Sequence, residues 1–154
     1  MEEINNFEEP LFPISVAAKL LDISVQTLRM YEKEGLIIPF RKETNHRLYS
    51  KADIARIICI RNAINNSKIS IAGIKTIYSL IPCWEIMNCR EKDRENCEAF
   101  TSYNSPCWSL NHKNNPCENL ICRECIVYKN FSECKAIKKS ITSLAKKNDF
   151  KIVL

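Results

Sequence analysis

A chain of 154 residues that is 45% apolar has room for one ordinary domain or two small ones, and too much apolar content for a disordered tail. No apolar run is long enough to span a bilayer, and the acidic start, Met1-Glu-Glu-Ile-Asn-Asn-Phe-Glu-Glu, lacks the basic and apolar pattern of a signal peptide, so the expected location is cytoplasmic, with no membrane partner. Charge is uneven: residues 12–80 carry 11 Lys/Arg against 5 Asp/Glu, residues 83–134 carry 6 against 8, and residues 135–154 carry 6 against 1, a pattern that fits a polyanion-binding module joined to a unit of different chemistry.

Residues 1–11 read as a flexible, solvated tail. Ser15 can cap a helix over residues 16–21 that buries Ile14, Ala17, Leu20 and Leu21. Asp22-Ile23 makes a turn, and Ser24 caps a second helix in which Val25, Leu28 and Tyr31 recur at helical spacing. Gly35, one of only two glycines, stands where a left-handed C-cap is needed. Leu36-Ile-Ile38 reads as a short strand, residues 39–45 as a polar loop, and Arg47-Leu-Tyr49 as the returning strand. Ser50-Lys-Ala-Asp53 is a capping box opening a third helix to about residue 65, with Ile54, Ile57, Ile58 and Ile64 inward. Ser70 starts a fourth helix with Ile71, Ile74, Ile77 and Tyr78 on one side, and Pro82 ends it. The expected fold is mainly α: a winged helix-turn-helix domain over residues 12–81, a small irregular cysteine-rich domain over 82–134, and a C-terminal helix over 131–148.

A second helix can enter the major groove only if its outward side chains reach base edges while its inward ones hold it to the first helix. Here the inward set is Val25, Leu28 and Tyr31, and the outward set is Gln26, Thr27, Met30 and Lys33, with Arg29 at the border. Arg and Gln suit bidentate contacts with guanine and adenine edges, whereas Ser, Thr and Tyr hydroxyls suit phosphates. The hairpin adds Arg41, Lys42, His46 and Arg47 as a wing for the neighbouring backbone. The candidate DNA-binding residues are therefore Ser24, Gln26, Thr27, Arg29, Tyr31, Lys33, Arg41, His46, Arg47 and Tyr49, and the expected partner is double-stranded DNA.

At Ile14-Ser-Val-Ala-Ala, Val25-Gln-Thr-Leu-Arg-Met-Tyr-Glu, Glu34-Gly-Leu-Ile, Arg47-Leu-Tyr-Ser50 and Asp53-Ile54 the chain resembles the MerR family of transcriptional regulators. The wording is nearest its heat-shock-repressor branch. The resemblance covers residues 12 to 81 and implies a homodimer on a pseudo-palindromic promoter, with a signal on the C-terminal half changing DNA bending or occupancy. Members of the family run into a long dimerisation helix. Here Pro82 and Cys83 interrupt it, so the dimer contact must be built differently or lie later.

Eight of the nine cysteines fall in Cys83-x5-Cys89-x7-Cys97-x9-Cys107-x9-Cys117-x4-Cys122-x2-Cys125-x8-Cys134. In a cytosolic chain such density means metal or redox chemistry more often than structural disulfides. Taken in order, the eight thiolates could complete two four-coordinate sites. Cys117, Cys122 and Cys125 have the C-x4-C-x2-C spacing of plant-type iron–sulfur ligation, and the same spacing with a fourth cysteine suits tetrahedral zinc, so an iron–sulfur cluster, zinc, and thiol–disulfide switching without metal all remain open. The segment is too short and polar to stabilise itself by apolar burial. Trp84, Trp108 and Tyr128 are candidates to cover the site. Pro-Cys-Trp recurs at Pro82 and Pro106, and this part resembles the cysteine-and-tryptophan-repeat segments attached to various bacterial signalling proteins. Cys59, among the isoleucines of the third helix, reads as an inert core residue.

In the last helix Cys134, Ile137, Ile141, Leu144 and Ala145 share one stripe, which offers a dimer seam. The expectation is a dimeric DNA-binding regulator whose cysteine-rich part senses redox state or metal. The alternative is a constitutive DNA-binding protein with a structural zinc or docking module. An oxidoreductase is disfavoured, because no βαβ pattern surrounds Cys122-Arg-Glu-Cys125 and neither Gly35 nor Gly73 lies in a phosphate-cradling loop.

Overall fold

The computed structural model describes residues 6–147. Among them the fold is mainly helical, with one small sheet. Strand β1 (Phe12–Pro13) leads into α1 (Ile14–Leu20) and α2 (Val25–Lys33). The hairpin β2 (Phe40–Arg41) and β3 (Arg47–Tyr49) precedes α3 (Lys51–Asn65) and α4 (Ile71–Ser79). Four short helices follow, α5 (Cys83–Ile86), α6 (Glu91–Glu95), α7 (Glu98–Thr101) and α8 (Ile126–Lys129), and then α9 (Ala136–Lys147). The sheet is antiparallel in the order β1-β3-β2, with Phe12 opposite Tyr49 and Arg41 opposite Arg47.

Local signals set the starts of α2, α3 and α4 and the end of α2. The Ser24 side chain accepts from the Thr27 amide, Ser70 does the same for Gly73, and Ser50 with Asp53 forms the full capping box at α3. Gly35 takes φ of 73° after α2, the left-handed conformation a Cβ disfavours.

Several boundaries differ from the sequence reading. Pro13, not Ser15, stands at the N-cap of α1, and Leu20 points out at 59% exposure while Ala17, Ala18 and Leu21 are buried. Pro at the entry fixes φ and starts the helix two residues earlier than the serine would. Residues 36–38 form no strand, although Leu36 and Ile37 are buried. Within α3, Ile57 and Ile60 are inward whereas Ile58 is exposed. Of the tail, residues 1–5 lie outside the described part. Phe7 and Leu11 are tied in, the Ala52 amide donating to the Phe7 carbonyl and the Leu11 amide to that of Tyr49, both at 3.0 Å. The last helix begins at Ala136, leaving Phe131 and Cys134 ahead of it, and residue 148 is outside the described residues.

The cysteine-rich segment does not stand apart. Trp108, Val127, Tyr128 and Phe131 are buried in the same core as Leu28, Leu36, Ile57, Ile74 and Tyr78. A stretch too polar to bury itself is stabilised by lending its few large apolar side chains to its neighbour.

Candidate nucleic-acid interface and cysteine cavity

The outward face of α2 carries Gln26, Arg29 and Lys33, all exposed, with Thr27 half-buried. Ser24 and Thr27 hydroxyls bond each other at 2.9 Å at the start of the helix. Met30, read as outward, packs partly against the core. Two assigned DNA contacts are corrected. Tyr31 and Tyr49 are 4% and 0% exposed, so neither can reach a phosphate. The Tyr49 hydroxyl is buried without a partner, and burial first of all pushes its phenol up to about 12.

In the wing, Glu32 of α2 binds both Arg41 and Arg47 at 2.5 Å. Arg41 also donates to Asn45 at 2.8 Å, and exposed His46 shares a 2.9 Å bond with Thr44. Glu32 therefore fixes the two arginines relative to the helix. The face that remains free to meet an anion includes Gln26, Arg29, Lys33, Lys42 and His46.

The second site is a cavity of about 40 Å³. One ordered water needs only about 10–15 Å³, so the space holds more than a single small occupant. Its wall contains seven cysteines: Cys83, Cys89, Cys97, Cys107, Cys117, Cys122 and Cys125. They come from α5, from the loops around α6 and α7, from the 3-10 turns Cys107–Ser109 and Cys122–Glu124, and from the loop between those turns. Trp84 and Phe100 close one side edge to face at 5.1 Å, and Trp108 packs edge to face on Tyr128 at 5.2 Å. All four rings line the cavity, including the three aromatic residues expected to cover it. The eighth cysteine is a correction. Cys134 is bonded to Cys59, with Cα atoms 5.2 Å apart, so neither is an inert thiol nor a cavity donor.

Gathering thiols in an apolar wall disfavours their ionisation. Cys107 is pushed far up, first by its hydrogen bond with Cys83 and then by burial, while that bond holds Cys83 down. Burial first, and neighbouring thiols second, raise Cys89 and Cys122 and push Cys117 up to about 11. Such a donor set is soft, and a bound cation would relieve its crowding. Among the described residues no three Cys, His, Asp or Glu side chains already stand close enough to hold one ion. The sulfurs lie round the wall rather than at a point.

Sequence reading missed one cavity residue. His112 lines the space, and its Nδ1 is buried without a partner. The available signal was spacing, Cys107-x4-His112-x4-Cys117, which no familiar motif picks out.

Cavity and recognition helix are joined by short polar contacts. Trp108, beside Cys107, donates from Nε1 to the Gly35 carbonyl at 2.8 Å. Arg123, inside the Cys122–Cys125 pair, donates to both Asp53 oxygens at 3.0 and 2.7 Å and to the Ile38 carbonyl. The Ile38 amide donates to the Tyr128 hydroxyl at 2.8 Å. Arg56, buried in α3, donates to the Tyr128 carbonyl and lies 3.9 Å over that ring. The segment leaving α2 and the cap of α3 are thus both held by neighbours of cavity cysteines.

A helix pair, a capped turn and a short antiparallel wing define a winged helix-turn-helix. Residues 12–80 match the MerR HTH family of regulatory proteins, so this part of the chain carries a MerR-type helix-turn-helix domain. Over 73 residues the chain is 38% identical to HspR of Streptomyces coelicolor, covering 47% of this chain and 48% of that protein. It is 34% identical over 68 residues to the HTH-type transcriptional regulator GlnR of Bacillus anthracis, covering 44% and 52% respectively. A ZntR homologue of Haemophilus influenzae is 37% identical over 68 residues, covering 44% and 50%. The chain spans about half the length of these curated relatives. No helix among the described residues is long and apolar enough to cross a membrane.

Proposed function

We propose that this chain is a homodimeric, sequence-specific DNA-binding transcriptional regulator, acting in the cytoplasm, whose cysteine cavity holds a thiolate-bound metal centre and whose DNA affinity follows the state of that centre. It is a binding protein, not an enzyme. The family of residues 12–80 and the regulator names of its relatives support the DNA-binding part. One observation carries the coupling. The hydrogen bonds from Trp108 and Arg123 end on Gly35 and Ile38, in the chain between the recognition helix and α3, and on Asp53 in the first turn of α3.

In this reading α2 enters the major groove, where Gln26 and Arg29 meet base edges and Ser24, Thr27 and Lys33 meet phosphates. Arg41 and Arg47, posted by Glu32, set the wing on the adjacent backbone, with His46 beside them. The second copy packs through α9, whose Ile141 is 48% exposed and which buries none of its residues within one chain. A centre of several iron atoms with bridging sulfide fits sulfurs spread round a wall better than a lone zinc, which draws all its thiolates to about 2.3 Å. Loss or oxidation of the centre would slacken the turns at Cys107 and Cys122. Trp108 and Arg123 would then shift the end of α2.

The test is selection from a random duplex library by anaerobically purified protein, with metal and sulfide quantified in the same preparation. A pseudo-palindrome should be enriched, and Gln26→Ala with Arg29→Ala should abolish the enrichment. Binding without sequence preference would overturn the regulator reading. Stoichiometric metal whose removal leaves operator affinity unchanged would favour the constitutive protein with a structural module.

A further inference from the structure

Cys59 and Cys134 stand outside the cysteine cavity, and the mechanism proposed above does not use them. Together they form the disulfide among the described residues, while the other seven cysteines are free thiols. Cys59 sits half-buried in the middle of α3, and Cys134 is exposed, two residues ahead of α9. The bond joins positions 75 apart in the chain. Because Ile57 and Ile60 seat α3 in the core, it fastens the chain entering α9 to the rigid part of the reader.

Little else holds that helix. Phe131 and Ser132 are buried, but Glu133, Cys134 and Lys135 are exposed, and α9 itself buries none of its residues. Ala136 and Ile137, in its first turn, pack partly on the core. Further along, Ser140 and Leu144 line an open groove with Ile86 and Phe131. The ion pair of Lys139 with Glu133, at 3.6 Å, joins two exposed side chains and adds little. A helix of 12 residues is marginal by itself in water. The disulfide is therefore its main tie.

A disulfide with one end open to solvent is the labile kind, and in a reducing cytoplasm such bonds are transient and redox-sensing. We propose that Cys59–Cys134 is a reversible thiol–disulfide switch that fastens α9 to α3 when oxidised and releases it when reduced. The reductant is a monothiol of the glutathione class and the oxidant a hydroperoxide. In reduction a monothiolate attacks the exposed Cys134 sulfur, the S–S bond breaks, and Cys59 leaves with the electron pair and takes up a proton. The Ser132 carbonyl lies 3.9 Å from the Cys59 sulfur and is placed to accept from the new thiol. A second monothiolate attacks the monothiol sulfur of the mixed disulfide, so Cys134 leaves, is protonated, and the two monothiols depart as their disulfide. In reoxidation the Cys134 thiolate attacks the hydroperoxide, becoming a sulfenic acid as the alcohol or water departs. The Cys59 thiol then closes the S–S bond and releases water. Cys134 just precedes a helix N-terminus and is followed by Lys135, a setting that favours its thiolate. The inference rests on the cytoplasmic reading for its reductant, and on no metal.

The test treats the full chain with reduced glutathione and then with hydrogen peroxide, quenching each state for peptide mapping of the Cys59–Cys134 link and for hydrogen exchange. Glutathione should abolish the linked peptide and peroxide should restore it. Amide exchange across residues 136–147 should quicken when the link opens and slow when it closes, while α2 keeps its protection. Cys134→Ser and Cys59→Ser should each exchange like the reduced wild type in either reagent. A link that survives glutathione, or never re-forms with peroxide, overturns the switch. So does a link verified open with exchange in α9 unchanged. The double variant Cys59→Ser with Cys134→Ser keeps the cavity thiols, and its α9 should respond to neither reagent. A response equal to that of the wild type would come from the cavity and would overturn the switch. No readout here depends on bound metal or on DNA, so these failures leave the cavity and operator readings standing.

Discussion

Arg29 and Lys42 are both exposed and basic, but they face an operator differently, one on the recognition helix and one in the wing. Arg29→Ala should cost about 1–3 kcal/mol in operator binding and relax selectivity at one base pair. Lys42→Ala should weaken all duplexes alike and lower the slope of log affinity against log salt by about 1. Fluorescence anisotropy on matched and mismatched duplexes across a salt series separates the two outcomes. At this scale the sequence marked the recognition helix and its inward phase through Val25, Leu28 and Tyr31, yet Tyr31 was also counted as a DNA contact, which its burial excludes. Tyr31 shares the helical phase of Leu28, so its ring is committed to the core, and a match to a motif says nothing about that direction. Tyr49 is paired with Phe12 in β3, and its ring ends in the same core. His112 escaped notice because its signal is an unsatisfied nitrogen, which only three-dimensional packing reveals.

The turn after α2 shows how an element can mislead when its polar groups are satisfied from a distance. Leu36, Ile37 and Ile38 have the composition of a strand, yet the Ile38 amide is taken by Tyr128 and its carbonyl by Arg123, so no ladder is required. Those partners are about 90 residues away in the chain, 90 and 85 positions respectively, and no local pattern announces them. Gly35 is a stricter case. A Cβ there would fall 2.8 Å from that of Ser109, in addition to the positive φ. Gly35→Ala should therefore destabilise by at least about 1–2 kcal/mol in thermal or urea melts. Adding Ser109→Gly should restore only the contact part. Arg123→Ala leaves the Asp53 carboxylate buried without its cation and should cost about 3–5 kcal/mol by urea denaturation. The capping box of α3 and the serine caps that start α2 and α4, by contrast, are set by residues within one turn and were readable directly.

Across the whole molecule, Pro82 marks a change of chemistry but not a break in packing. Trp108 and Tyr128 fill the core beneath the recognition helix, so cysteine module and reader are mechanically one body. Cys59 and Cys134 add a covalent link from α3 to the chain entering α9. Cys134→Ser should leave metal content unchanged, whereas Cys122→Ser should reduce it, by elemental analysis of the purified variants. Both cysteines of that link were visible as residues, but their pairing joins positions 75 apart and is fixed by tertiary geometry. The most direct test of the account compares operator affinity of one preparation with its metal centre intact and after anaerobic removal, in the wild type and in Trp108→Phe, which lacks the bond to Gly35. The account predicts a wild-type change within the roughly 5–150-fold range typical of coupled sites, and a smaller one in the variant. Equal affinities for loaded and metal-free wild type, with removal verified, would contradict it.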